Sequence, residues 1–153
     1  TTGRGSGPGV EWRQVAIEPL LLAVPLDHRL AGAEETELAH VAREPFIIRR
    51  APSEMRAQVL QLCAAAGFEP DIAFEVDDLP TVRGFVAAGL GVGVVPALGR
   101  SVPTELGPVR LIPLRDNDAR REVGIAWLSE HRLLPAADLM RRFALAEAGR
   151  RGA

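Results

Sequence analysis

Apolar and polar positions along this chain follow two rhythms. Between residues 20 and 95, short apolar runs trade places with stretches whose apolar positions recur every three or four residues. The first rhythm marks strands and the second marks amphipathic helices. Val15 to Val24 carries two apolar runs separated by Glu18-Pro19. This predicts a short strand, a turn of direction, and a buried strand over Leu20 to Val24. Pro25-Leu26-Asp27-His28 opens a loop, Glu34 to Val41 predicts a short helix, and Phe46 to Arg49 a strand. Pro52-Ser53-Glu54 starts a helix that runs to Ala66, with Val59, Leu60, Leu62 and Cys63 as its apolar residues and Gly67 past its end. Ile72 to Val76 predicts the next strand. Asp77 or Asp78 caps the helix that follows, and Pro80 suits its first turn. That helix presents Val82, Phe85 and Val86, ends at Gly89, and hands over to a strand almost free of polar atoms, Val92 to Val95. Beyond a turn near Pro96–Arg100 and a Pro/Gly loop, Val109 to Leu114 and Glu122 to Leu128 predict two strands. Pro135 to Glu147 predicts a closing helix with Leu139, Phe143 and Leu145 toward a core and Arg141 and Arg142 toward solvent.

Alternating strands and helices of this kind predict an α/β fold with a mostly parallel sheet. Residues 1–17 and 119–150 stand outside the repeating pattern and read as parts of a second unit. Thr1 to Gly9 is Gly/Ser-rich and reads as a loop. The glycines of Gly89-Leu90-Gly91-Val92-Gly93 resemble a phosphate loop at first sight. A dinucleotide fingerprint, however, needs strand, then glycines, then helix. Here the helix comes first and Pro96 follows the strand, so Gly89 and Gly91 read as C-cap and packing positions.

Composition narrows the function classes. The 153 residues are 47% apolar, enough for one real core. Net charge is −2 and all basic residues are Arg. No basic stripe suggests that these residues themselves touch nucleic acid. No apolar run is long enough to span a membrane. One cysteine, Cys63, permits no internal disulfide and reads as a buried small hydrophobe. His28, His40 and His131 lie far apart without metal-ligand spacing, so no metal or cofactor is expected. None of Ser6, Ser53, Ser101 or Ser129 sits in a nucleophile-elbow frame, so no enzyme activity is expected. Asp77-Asp78 suits helix capping better than acid–base work.

A binding reading remains. Phe46 to Arg50 leaves the carboxyl end of a strand, and Ser53, Glu54 and Met55 follow at a helix N-terminus. Ligands of open α/β sheets collect at that edge, and helix N-termini offer free N–H groups to an anion. Arg49, Arg50 and Arg56 add positive charge. A small carboxylate fits such a place. A helix simply capped by Ser53, with solvated arginines, fits the same residues.

Four ordered segments resemble one family. Glu18 to Ala31 (EPLLLAVPLDHRLA) is similar to its E-P-L-x-x-x-x-P-x-x-H-P-L-A segment, with Arg29 where Pro is usual. Glu44-Pro45-Phe46-Ile47 matches its next strand, Cys63 to Pro70 its G-F-x-P helix end, and Val86 to Pro96 its most specific signature. The family is the LysR-type transcriptional regulators, and the likeness is to their effector-binding domain over about residues 10–148. The resemblance implies a type II periplasmic-binding-protein-like fold of two α/β subdomains, with a small-molecule effector between them. It implies one complete subdomain over 18–117, preceded by a loop and last strand of the other at 1–17 and followed by a C-terminal return at 118–150. Crossovers would fall near Ala16–Glu18 and Asp116–Arg121. DNA binding would belong to a helix-turn-helix module absent from this chain, and members form dimers or tetramers in the cytoplasm. The effector-lining positions carried over are Glu18, Ser53, Glu54 and Met55, with Arg49 and Thr81 close by. A transporter's solute-binding protein, which shares the fold, is the alternative.

Overall fold

The computed structural model describes residues 8–97, 108–130 and 133–151. Ser6, Ser101, His131, most of Thr1 to Gly9, and most of the turn and loop expected after Pro96 lie outside these residues. The chain divides into two compact units: Pro19–Arg120, and the pair of segments Thr1–Glu18 and Arg121–Ala153.

In the larger unit, the second half of β1 (Val10–Pro25) is antiparallel to both β4 (Gly93–Pro96) and β5 (Val109–Pro113), so that Leu22 faces Val94 on one side and Ile112 on the other. Strands β2 (Pro45–Arg49) and β3 (Asp71–Val76) pair in parallel. A parallel bridge between Phe46 and Val92 links β2 to the chain entering β4. There Ile47 N–H donates to Val92 O at 2.8 Å and Val92 N–H donates to Pro45 O at 2.9 Å. Strands β2 to β5 therefore run one way, and β1 runs against them.

Helices cover both faces of these strands, which explains their unbroken apolar runs. α1 (Glu54–Ala65) buries Met55, Val59, Leu62 and Cys63 in a cluster with Leu22, Val24, Phe46, Ile48 and Ile112. α2 (Leu79–Ala87) buries Val82 and Val86 with Ala23, Ile47, Val76 and Val95. Successive strand residues thus serve opposite clusters. The glycines of the signature allow close approach. Gly89 takes φ +75° past the end of α2, and Gly91 takes φ +152° with Pro45's carbonyl standing where a Cβ would be.

Three local expectations change. β1 is one continuous strand through Glu18-Pro19. Proline removes only its own N–H, and its φ suits extended chain. Only Leu38–Val41 of the expected 34–41 helix is helical, as a 3-10 turn. Thr36 is drawn instead into a bridge beside β5, donating its N–H to Pro113 O and accepting from Arg115 N–H, while Asp116 takes the Leu38 N–H. The inner stripe of α2 also holds Arg83, 3% exposed, with burial lowering its pKa.

In the smaller unit, β6 (Arg120–Leu128) pairs with β1, and Trp12 lies directly over Gly124, where no side chain would fit. The expected facing of α3 (Pro135–Arg151) is reversed in part. Arg141 stacks 5.0 Å from the Trp127 ring centre and donates to Asp138 at 2.6 Å, while Leu139 and Phe143 are exposed by 63% and 58%. The helix is apolar on more than one side, so its sequence alone does not choose the face that packs. Leu145 is half-buried and Arg142 is exposed, as expected.

Candidate anion site at the carboxyl edge of β2 and β3

Strands β2 and β3 finish side by side, with Arg49 opposite Val76 and the Arg50 N–H donating to Val76 O at 2.8 Å. Each strand then feeds a helix, so α1 and α2 both begin at this edge. Their N-termini differ in the capping group. At α2, Asp78 Oδ1 accepts the Thr81 N–H at 2.7 Å. That backbone hydrogen bond, then the Thr81 side chain and the nearby Arg49 charge, holds the Asp78 carboxyl below the usual carboxylate range. At α1 the cap is a neutral hydroxyl, Ser53 Oγ, which accepts the Arg56 N–H at 3.3 Å. The Glu54 and Met55 N–H groups of that first turn have no intrahelical acceptor. The carboxylate at α2 is therefore the cap itself, whereas at α1 it is Glu54 in the first turn, behind a neutral cap.

The three arginines also differ. Arg56 pairs with Glu75, and Arg50 approaches Asp77 Oδ1 at 3.4 Å. Arg49 donates Nη2 to the Asp77 carbonyl at 2.7 Å, a neutral partner. Its Nε–H is buried and meets no acceptor among the described residues. A buried donor left unpaired costs about 1–3 kcal/mol, so an incoming acceptor is favoured there.

The structure thus gathers Arg49, Ser53, Glu54 and Thr81 at one edge. Met55 contributes only its backbone, because its side chain is 6% exposed within the core. Glu18 belongs to the smaller unit and is ion-paired with Arg121, whose Nε donates to Glu18 Oε2 at 2.7 Å. The sequence reading missed this partner, and 103 intervening positions leave no spacing signal for it. The histidines have local duties. His28 Nδ1 accepts the Leu30 N–H at 3.1 Å, so its Nε2 carries the proton given to Glu44 at 2.6 Å. His40 Nδ1 meets the Thr36 hydroxyl at 3.0 Å. Among the described residues no group of His, Cys, Asp or Glu is placed to hold a metal ion, and no helix is long and apolar enough to cross a membrane.

Comparison with known proteins decides the family. The LysR substrate binding domain pattern matches residues 1–149. The chain belongs to this family. Over 136 residues it is 32% identical to the HTH-type transcriptional regulator YybE of Bacillus subtilis, covering 89% of this chain and 46% of that protein. The chain spans about half the length of the curated relatives it matches. Among solved structures, it is similar to the C-terminal domain of a probable LysR family regulator from Rhodococcus sp. RHA1, with TM-score 0.80 and 27% identity over 94% of this chain and 71% of that one. The effector binding domain of QuiR, solved in complex with shikimate, shares the fold with TM-score 0.85 and 21% identity over 97% of this chain and 70% of that one.

Proposed function

We propose that this LysR effector-binding chain senses a small carboxylate, and that the carboxylate is held by Arg49 and the first turn of α1. The observation that carries the reading is the buried Nε–H of Arg49, without an acceptor among the described residues, beside the helix start capped by the Ser53 hydroxyl. One carboxylate oxygen would accept from Arg49 and the other from the open N–H groups of Glu54 and Met55. Thr81 would border the site from α2. Shikimate, the ligand of QuiR, is itself a carboxylate, which supports the same chemical class here. Glu18, in the smaller unit, is not needed for this minimal reading.

A bound effector acts by favouring one conformation over another, and only by its difference in affinity for the two. Couplings of about 1–3 kcal/mol are usual between allosteric sites. In the whole regulator that coupling would reach a helix-turn-helix module in a dimer or tetramer working in the cytoplasm. The relatives described above are regulators, which supports a sensor rather than an enzyme or a transporter's solute-binding protein.

The test is a thermal-shift screen of shikimate and related monocarboxylates against their neutral amides. Calorimetry of the best carboxylate on the wild type and on Arg49→Gln follows. Charge-assisted hydrogen bonds are worth about 1.5–3 kcal/mol, so Arg49→Gln is expected to weaken binding by about 10–100-fold. Amides that bind as well as acids, or an unchanged affinity in the variant, would overturn the placement.

A further inference from the structure

Within the larger unit, α2 buries a full positive charge. Arg83 is 3% exposed, and among the described residues it is the only charged side chain buried to this degree. Its stripe of α2 carries Val82 and Val86, which pack with Ala23, Ile47, Val76 and Val95. Its neighbours one turn away on the helix, Leu79 and Val86, are apolar. The Arg83 Nε–H is buried and meets no acceptor among the described residues. The three acidic residues that precede it are engaged elsewhere, Glu75 with Arg56, Asp77 with Arg50, and Asp78 with the Thr81 N–H. Burial lowers the Arg83 pKa. A guanidinium keeps its proton even so. A buried charge without a partner is costly, and an apolar side chain of similar shape suits such a place better. A cation kept there points to a negative group that reaches it from outside the fold.

We propose that Arg83 is the cation of a second anion site in the larger unit, on the inner stripe of α2, whose ligand is a small, planar oxyanion of single charge. The charge follows from the enclosure. One negative charge neutralises the buried guanidinium, whereas a dianion leaves an excess charge among apolar side chains. The shape follows from the open atom. Nε–H and one Nη–H of a guanidinium form a parallel pair of donors, which matches two oxygens on one carbon or nitrogen atom. A halide offers one point and forgoes that fit. The site uses none of Arg49, Ser53, Glu54 or Met55, so it does not rest on the reading of the sheet edge.

The test is thermal unfolding of this chain at fixed ionic strength, with sodium chloride exchanged stepwise for formate, nitrate or sulfate. Each shift is read against Arg83→Met, which keeps an unbranched apolar stem, removes the charge and carries any general salt effect. The wild type is expected to gain about 5–10 °C over that baseline when formate reaches about a hundred times its Kd. The gain saturates, recurs in nitrate and is absent in sulfate. In chloride, Arg83→Met is expected to melt no lower than the wild type. Arg49→Gln is expected to keep the formate gain, which separates this site from the sheet edge. Nitrogen-15 NMR of the wild-type Arg83 Nε–H gives a readout that needs no variant, with a saturable shift expected as formate is added. A gain that survives Arg83→Met or vanishes in Arg49→Gln would overturn the proposal. An Arg83 signal that formate leaves unmoved, or a wild type that favours chloride or sulfate over the baseline, would overturn it equally.

Discussion

Replacing Gly91 with alanine strikes the junction that joins the two parts of the larger unit's sheet. Gly91 takes φ +152°, a region that side chains rarely adopt, and its added methyl meets the Pro45 backbone rather than a movable side chain. Holding a non-glycine residue in such a region costs about 1–3 kcal/mol. Relieving the collision requires β2 and the β4 approach to separate. That breaks the bonds from Ile47 N–H to Val92 O and from Val92 N–H to Pro45 O. Phe46 and Val92 are 0% and 1% exposed, so water cannot replace those bonds. Each unpaired buried group adds about 1–3 kcal/mol. Strain with even one such group left unpaired comes to about 2–6 kcal/mol, a large share of the roughly 5–15 kcal/mol that folds a domain. For a chain of this length it corresponds to a melting temperature lower by about 10–20 °C. Gly84→Ala is the control. Gly84 lies exposed within α2 with open space around it, so alanine there is expected to stabilise by about 0.5–1 kcal/mol. Urea melts by far-UV circular dichroism measure both variants, with amide exchange at Ile47 and Val92 as the local readout. Both tryptophans, Trp12 and Trp127, lie in the smaller unit, so their fluorescence reports unit-specific damage separately. A Gly91→Ala protein within about 1 kcal/mol of wild type, with slow exchange retained at both amides, would refute the close approach as a source of stability.

Two further outcomes concern titration. Burial, and secondarily the Asp116 charge, pushes the Cys63 thiol up to about 12 from its ordinary value of 9.0. Iodoacetamide is therefore expected to leave the folded chain unlabelled at mildly alkaline pH and to label it in denaturant. Stability is expected to fall as pH rises past the ordinary thiol range, because the unfolded thiol ionises first. The Asp78 carboxyl, held low mainly by the Thr81 N–H, stabilises the fold above the ordinary carboxylate range and loses that contribution as pH falls through its lowered value. Asp78→Ala is expected to destabilise α2 near neutrality and to flatten the acid limb of a stability–pH curve, with an unflattened limb counting against the cap.

Much of the larger unit is legible in the sequence because its strands are buried on both faces. Leu20-Leu21-Leu22-Ala23-Val24 and Phe46-Ile47-Ile48 must be apolar at nearly every position when alternate residues feed opposite cores. The caps at Ser53 and Asp78, and the order of glycines after α2, are local signals and hold in the structure. Partner-dependent features are not written locally. Arg83, although charged, falls on the buried stripe with Val82 and Val86. α3 carries apolar residues around its circumference, so Trp127, through Arg141, selects the packed face rather than Leu139 and Phe143. At the anion site the residue types are legible, but not the charge pairing. Arg50 and Arg56 meet carboxylates while Arg49 meets a carbonyl, and that difference arises only when β2, β3 and α1 come together.

Resolved arginine Nε–H signals, followed by nitrogen-15 NMR as a carboxylate from the thermal-shift screen is added, test the anion site most directly. The expected result is a shift of the Arg49 Nε–H, with slowed exchange with water, while the paired Arg56 signal stays in place and the matching amide causes no change. Saturable binding of the acid that leaves the Arg49 signal where it began would contradict the assignment of the effector to this edge of the sheet.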